Sequence, residues 1–237
     1  MANALPVPGG IGPDPARLAR AEWRRGQIVE AATRLLETHG FHGMSMQALA
    51  KEAGVSVGLI YQYVPHKDDV LLLVIVDIID AYKRELPPAI AAHDDPVEQL
   101  AAAFDAYCRV IDGRRAATVL AYRETATLAE EGRSHLKTLE VGTTRLVAEV
   151  IERGIESGVF VEADADLVAF DLVILAHAWA LKHWYLQPRL TLEDYVAGQL
   201  ALVLRSLLAP RRRVRYHRFL EAKAPAGRPR TTTGEPE

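Results

Sequence analysis

Between Ser45 and Val70 the chain reads SMQALAKEAGVSVGLIYQYVPHKDDV, two short helical runs hinged at Gly54-Val55. Met46, Leu49, Ala50 and Ala53 repeat at helical spacing. Ser45 and Ser56 stand where an N-cap oxygen accepts from the free N–H groups of each run, and Pro65 ends the second. Two helices this short bury Leu49, Ala50, Val55 and Ile60 together only by crossing steeply. Ala50 and Gly54 suit such a crossing, because larger side chains would hold the helices apart. The second helix can then project and enter a DNA major groove about 12 Å wide.

The rest of the chain also reads helical, with no internal repeat and no strand bounded by hairpin chemistry. Ile28, Ala31, Ala32, Leu35 and Leu36 form one apolar stripe on a helix over roughly 22–38, closed by Gly40 with Phe41 packing back on it. The run Val70–Val76 is rich in β-branched residues and is compatible with a buried strand. The apolar pattern continues through Ile78, Ile79 and Tyr82, however, and Asp68 and Asp69 suit a helix N-terminus. A helix over 67–86, ended by Pro87-Pro88, is the better reading. Further helices are expected near 96–112, 115–131, 133–157, 164–186 and 191–208, punctuated by Gly113, Gly132, Gly158 and Pro188, with a capping box at Thr191–Asp194. The predicted fold is all-α, with about nine helices.

The net charge of −3 hides an uneven distribution. Residues 16–67 carry a balance of +3, residues 68–209 one of −10, and the chain from Pro210 one of +5. A basic head on an acidic body suits one nucleic-acid face. The single cysteine, Cys108, excludes an intramolecular disulfide and a multi-cysteine zinc site. No signal-peptide pattern opens the chain, and no apolar run approaches the ~20 residues of a membrane span, so a cytoplasmic protein without a membrane partner is expected. The implied organisation is a flexible leader over 1–16, a DNA-binding domain over 17–66, and a ligand-binding and dimerisation domain over 67–209. A basic, disordered tail follows over 210–237, with no fixed structure beyond about residue 220.

Over Arg25–Leu73, through the HGF that ends the first helix, SMQALAKEAGVS and GLIYQYVPHKDDVL, the sequence resembles the TetR family of one-component transcriptional regulators. The resemblance implies that Gln47 faces DNA, and that Tyr61 and Tyr63 contact phosphate and base through hydroxyl and ring face. It makes Lys67 a phosphate contact at the start of the helix leading to the ligand domain. Ser45 and Ser56 are caps first and phosphate contacts second, Gly58 allows close approach of the backbone, and Gln62 and Arg25 complete the candidate DNA-binding set. Val57 and Leu59 stand where many relatives carry polar residues. Specificity would then lean on Gln47, Gln62, Tyr63, methyl contacts and DNA shape, with the arm Arg17–Arg25 adding phosphate or minor-groove contacts.

One reading head covers too few base pairs, so a homodimer on an inverted-repeat operator is expected. Leu192, Val196, Leu200, Val203 and Leu207 form the candidate dimerisation stripe, widened by Tyr195, Leu202 and Leu204. Phe104, Tyr107, Tyr122, Thr125, His177 and Trp184 are the candidate ligand-binding residues, being polar or aromatic groups on otherwise apolar helices. The YRET and HAWALKHWY stretches resemble those of relatives associated with fatty-acid or acyl-CoA metabolism. Together these features predict a repressor of double-stranded operator DNA, released by a small hydrophobic effector. No catalytic residue, cofactor or metal is expected: His177 and His183 fall on different helix faces, and no HExxH, glycine-rich phosphate loop or GxSxG elbow occurs. An interaction module keeping a vestigial helix-turn-helix is the other alternative, suggested by Val57 and Leu59.

Overall fold

The computed structural model describes residues 15–221, except the side chains of Pro15, Arg17 and Leu18. The leader up to Asp14 and the tail from 222 lie outside the described residues. Among the described residues the fold is all-α: eleven helices, two of them single turns, and one isolated bridge between Phe160 and Leu208. The chain parts into two compact units between Val70 and Leu71.

The first unit holds α1 (Pro15–Gly43), α2 (Met46–Glu52) and α3 (Val57–Tyr63). Ile28, Ala31, Ala32 and Leu36 of α1 are buried with Leu49, Ala50 and Ile60, while Leu35 is half-buried. Ser45 Oγ accepts from Ala48 N at 3.1 Å and Ser56 Oγ from Leu59 N at 3.2 Å, so both serines cap as expected. Gly54 has a different role from the one its size suggested. Its φ is +67°, and a Cβ there would meet nothing within 4 Å. The joint needs glycine for its left-handed backbone, not for close packing. Gly40, at φ +66°, is likewise the non-helical residue inside α1, which starts well before residue 22.

The second unit begins within the first turn of α4 (Asp69–Ala91), so Val70–Val76 is helical. It continues with α5 (Pro96–Gly113), α6 (Arg115–Glu124), α7 (Glu130–Glu156), α8 (Ala165–Leu181), α9 (His183–Leu186), α10 (Leu192–Leu207) and α11 (His217–Leu220). Helices α5, α7 and α8 pack on one another, with α6 on α8 and α10 on α5. Cys108 lies at the centre of this packing, where burial pushes its thiol far above the ordinary range. Gly154 of α7 is forced to be glycine: a Cβ there would stand 2.0 Å from the Phe160 ring.

Four boundaries depart from the sequence reading. Pro87 and Pro88 do not end α4, because both are exposed, and water can reach the Lys83 and Arg84 carbonyls that lose their donors. The break expected at Gly132 comes earlier, in the 3₁₀ turn Thr125–Thr127. There the Thr125 and Thr127 hydroxyls donate to the carbonyls of Ala121 and Glu124, and Arg133 donates to that of Leu128. The helix expected over 164–186 is divided at Lys182, whose φ of −117° leaves the helical region. The described part of the tail is folded, not disordered. Tyr216 is buried, its hydroxyl donates to Asp95 Oδ2 at 2.7 Å, Arg215 pairs with the same carboxylate at 3.1 Å, and Arg218 pairs with Glu98. Asp95 also caps α5 through Val97 N at 2.9 Å, so one carboxylate holds both ends of this contact.

Candidate nucleic-acid interface and effector cavity

In the first unit the capped and mutually packed α2 and α3 leave polar side chains outward. Gln47, Gln62 and Gly58 are exposed, and Tyr61 is 50% exposed. A Cβ at Gly58 would meet nothing within 4 Å, so nothing in the chain itself demands glycine there. Val57 and Leu59 are half-buried, which accounts for apolar residues beside the exposed ones. The other candidates are tied inside the unit. The Tyr63 hydroxyl donates to the Ala21 carbonyl at 3.4 Å, while Lys67 Nζ donates to the His42 carbonyl at 3.1 Å and lies 5.0 Å above the Phe41 ring. Arg25 is half-buried on α1. Beside α3 runs an open groove of about 670 Å³, walled by Trp23, Arg24 and Gln27 of α1 and by Ser56, Leu59 and Gln62. Trp23 and Arg24 fall within the arm expected to touch DNA, whereas Gln27 was not singled out in the sequence. The helical phase of α1 brings all three to this face.

In the second unit a cavity of about 390 Å³ lies among α4, α6, α7 and α8. Its volume is in the range of small-molecule sites. Ile75, Ile78, Ile79, Leu136 and Val173 supply apolar wall. Tyr107, Tyr122, Thr125 and His177 are brought together around it, joined by Tyr82. The other two candidates are placed elsewhere: Phe104 lines a separate void of about 10 Å³ beneath Tyr107, and Trp184 is 75% exposed on α9. The His177 ring is held by two hydroxyls, with Tyr122 Oη 2.8 Å from Nδ1 and Tyr82 Oη 3.4 Å from Nε2. Tyr82 stacks on Tyr107 with centroids 3.9 Å apart. Burial lowers the pKa of His177 to about 4, so the ring is neutral, and burial raises those of Tyr82, Tyr107 and Tyr122. Arg133, Lys137 and Glu140 of α7 line the same cavity, and burial raises the Glu140 carboxyl.

The sequence matches two family models. Residues 28–74 match "Bacterial regulatory proteins, tetR family", and residues 93–207 match "Tetracyclin repressor-like, C-terminal domain". The HTH-type transcriptional regulator HbdR of Aromatoleum sp. (strain CIB) is 41% identical over 187 residues, covering 79% of this chain and 82% of HbdR. This chain belongs to the TetR family. It is a DNA-binding transcriptional regulator, and the relatives it matches are regulators, not enzymes. The transcriptional repressor KstR2 of Mycobacterium tuberculosis is 29% identical, covering 76% of this chain and 91% of that one. Among solved structures, AibR in complex with isovaleryl coenzyme A and operator DNA superposes with a TM-score of 0.63 at 21% identity, over 76% of this chain and 97% of that one, a likeness of fold. The arm from Pro15 to Gln27 lies ahead of the first family match.

The stripe proposed for dimerisation is divided by the fold of this TetR-family chain. Val196, Leu200 and Leu207 are buried within the chain, whereas Leu192 and Val203 are half-buried. Among the apolar residues left outside are Leu202 of α10, 60% exposed, and Leu167, Phe170 and Ile174 of α8, the last two also lining the cavity. Among the described residues no group of acidic, histidine and cysteine side chains is arranged to hold a metal, and no helix is long and apolar enough to cross a membrane.

Proposed function

We propose that this chain is a homodimeric repressor that holds an inverted-repeat operator and leaves it when a small acyl compound, a fatty acid or its coenzyme A thioester, enters the second unit. The observation that carries this reading is the 390 Å³ cavity, apolar along α4 and α8 and polar at the Tyr122–His177 pair. The operator contacts would come from Gln47, Tyr61 and Gln62, with Ser45, Ser56, Gly58, Tyr63, Lys67 and Arg25 against phosphate or positioning the helix. Tyr63 and Lys67 fit the positioning role better than a base contact, because each is bonded to α1. The outward leucines and phenylalanine of α8 and α10 would form the seam between copies, in place of the buried Val196, Leu200 and Leu207. AibR, of like fold, binds an acyl-coenzyme A and operator DNA, and KstR2 is named a repressor, which supports the ligand class and the sense of regulation.

The chain should retard DNA from its own upstream intergenic region, with affinity falling steeply as salt rises. Replacing Gln47, Tyr61 and Gln62 with alanine should weaken binding at least tenfold, leaving the melting temperature close to that of the wild type. Titrated acyl-coenzyme A should release the DNA. Retention of the complex at saturating concentrations of both acid and thioester would exclude this effector class.

A further inference from the structure

His177 stands at the middle of a three-residue chain that crosses the cavity, from Tyr122 on α6 to Tyr82 on α4. A neutral imidazole has one N–H and one lone pair. It therefore donates to one tyrosine oxygen and accepts from the other hydroxyl. The tyrosine that accepts keeps a hydroxyl proton with no role in the chain, and that proton points elsewhere. A hydroxyl donates over shorter distances than a ring N–H, so we assign the 2.8 Å contact to Tyr122 donating to Nδ1 and the 3.4 Å contact to Nε2–H directed at Tyr82. Tyr82 is buried, whereas Tyr122 is 50% exposed on the cavity wall, so Tyr122 is the end that can turn its proton to a ligand.

We propose that the effector presents an uncharged carbonyl oxygen to the Tyr122 hydroxyl, and that this reverses the Tyr122–His177–Tyr82 chain. Once Tyr122 donates to the ligand, Nδ1 carries the imidazole proton and donates to Tyr122, and Tyr82 turns its hydroxyl from Tyr107 to Nε2. The proton moves between ring nitrogens, no charge is created, and Tyr82 changes from acceptor to donor. A carboxylate is a poor occupant of this point. Beside Tyr122 and His177 it would lose water among Ile78, Ile79 and Val173, and the carboxyl of Glu140 lines the same cavity. Lys137 of α7 lines the cavity and suits the anionic remainder of a thioester, whereas Arg133 beside it is paired with Glu130 and the Leu128 carbonyl. The proposal rests on the effector reading above and narrows it from acyl compounds to acyl thioesters.

The test uses the full chain with isovaleryl-coenzyme A, free isovalerate and coenzyme A alone as probes. Calorimetry should give Tyr122→Phe an affinity for the thioester about tenfold weaker than that of the wild type, the scale of one hydrogen bond, with coenzyme A unaffected. Nitrogen NMR of the histidine rings, with His177→Gln to identify the signal, should show Nδ1 unprotonated in the empty chain and protonated with thioester bound. Equal thioester affinity in wild type and Tyr122→Phe overturns the proposal, as does an unchanged tautomer on binding. A protonated Nδ1 in the empty chain overturns it without any ligand. If no probe binds the wild type, the effector reading itself falls, and the empty-chain spectrum still decides the direction of the hydrogen bonds.

Discussion

Single atoms at two positions have consequences that can be measured directly. The folded chain holds His177 near pKa 4, against an ordinary value of 6.5. Below pH 6.5 the unfolded chain binds a proton that the folded chain refuses, so this stability is complete above 6.5 and is lost as pH falls toward 4. The shift corresponds to about 3 kcal/mol. Denaturant unfolding at pH 7.5 and 4.5 should therefore show the wild type losing about 2–3 kcal/mol more than His177→Gln. Gly154 offers a paired comparison within one helix. Gly154→Ala must displace the Phe160 ring and should destabilise the chain by about 1–2 kcal/mol, even though alanine favours helix by ~1 kcal/mol. Gly142→Ala, on the same helix with open space around its Cβ, should stabilise by roughly 0.5–1 kcal/mol in the same melts.

Asp95 governs an element. Its carboxylate caps α5 and receives Tyr216 and Arg215, so Asp95→Ala removes a cap and two partners at once. A loss of about 2 kcal/mol is expected, with hydrogen exchange over 210–221 rising far more than that over α7. The element scale also separates what was legible in the sequence from what was not. Caps were legible because they depend on local order: Ser45, Ser56 and the Thr191–Asp194 box all make their bonds, the box with both its hydrogen bonds. Tail and helix ends were less so, since they depend on distant partners or on solvent. Arg215, Tyr216 and Arg218 read as solvated tail until Asp95 and Glu98 are placed beside them, and Pro87-Pro88 reads as a stop until its exposure is known. Tyr82 was hidden from the cavity for a similar reason. Its spacing on α4 is that of core, and only its approach to His177, 95 residues later, gives it a polar role.

At the scale of the whole molecule, the homodimer proposed above rests on the outward faces of α8 and α10. Leu167→Glu with Leu202→Glu places two charges on the exposed apolar surface and leaves the core untouched. Sedimentation should then give the mass of a single chain, and operator affinity should fall by about a hundredfold or more as the two heads lose their linkage. An unchanged sedimentation coefficient would place the seam on another surface. Cys108 is the chain's only cysteine, and burial leaves its thiol protonated and shielded. A maleimide dye should therefore ignore the native protein. A cysteine introduced at an exposed position of the first unit such as Lys51 becomes the sole label, ready for distance measurements within the proposed dimer with no prior removal of the natural thiol.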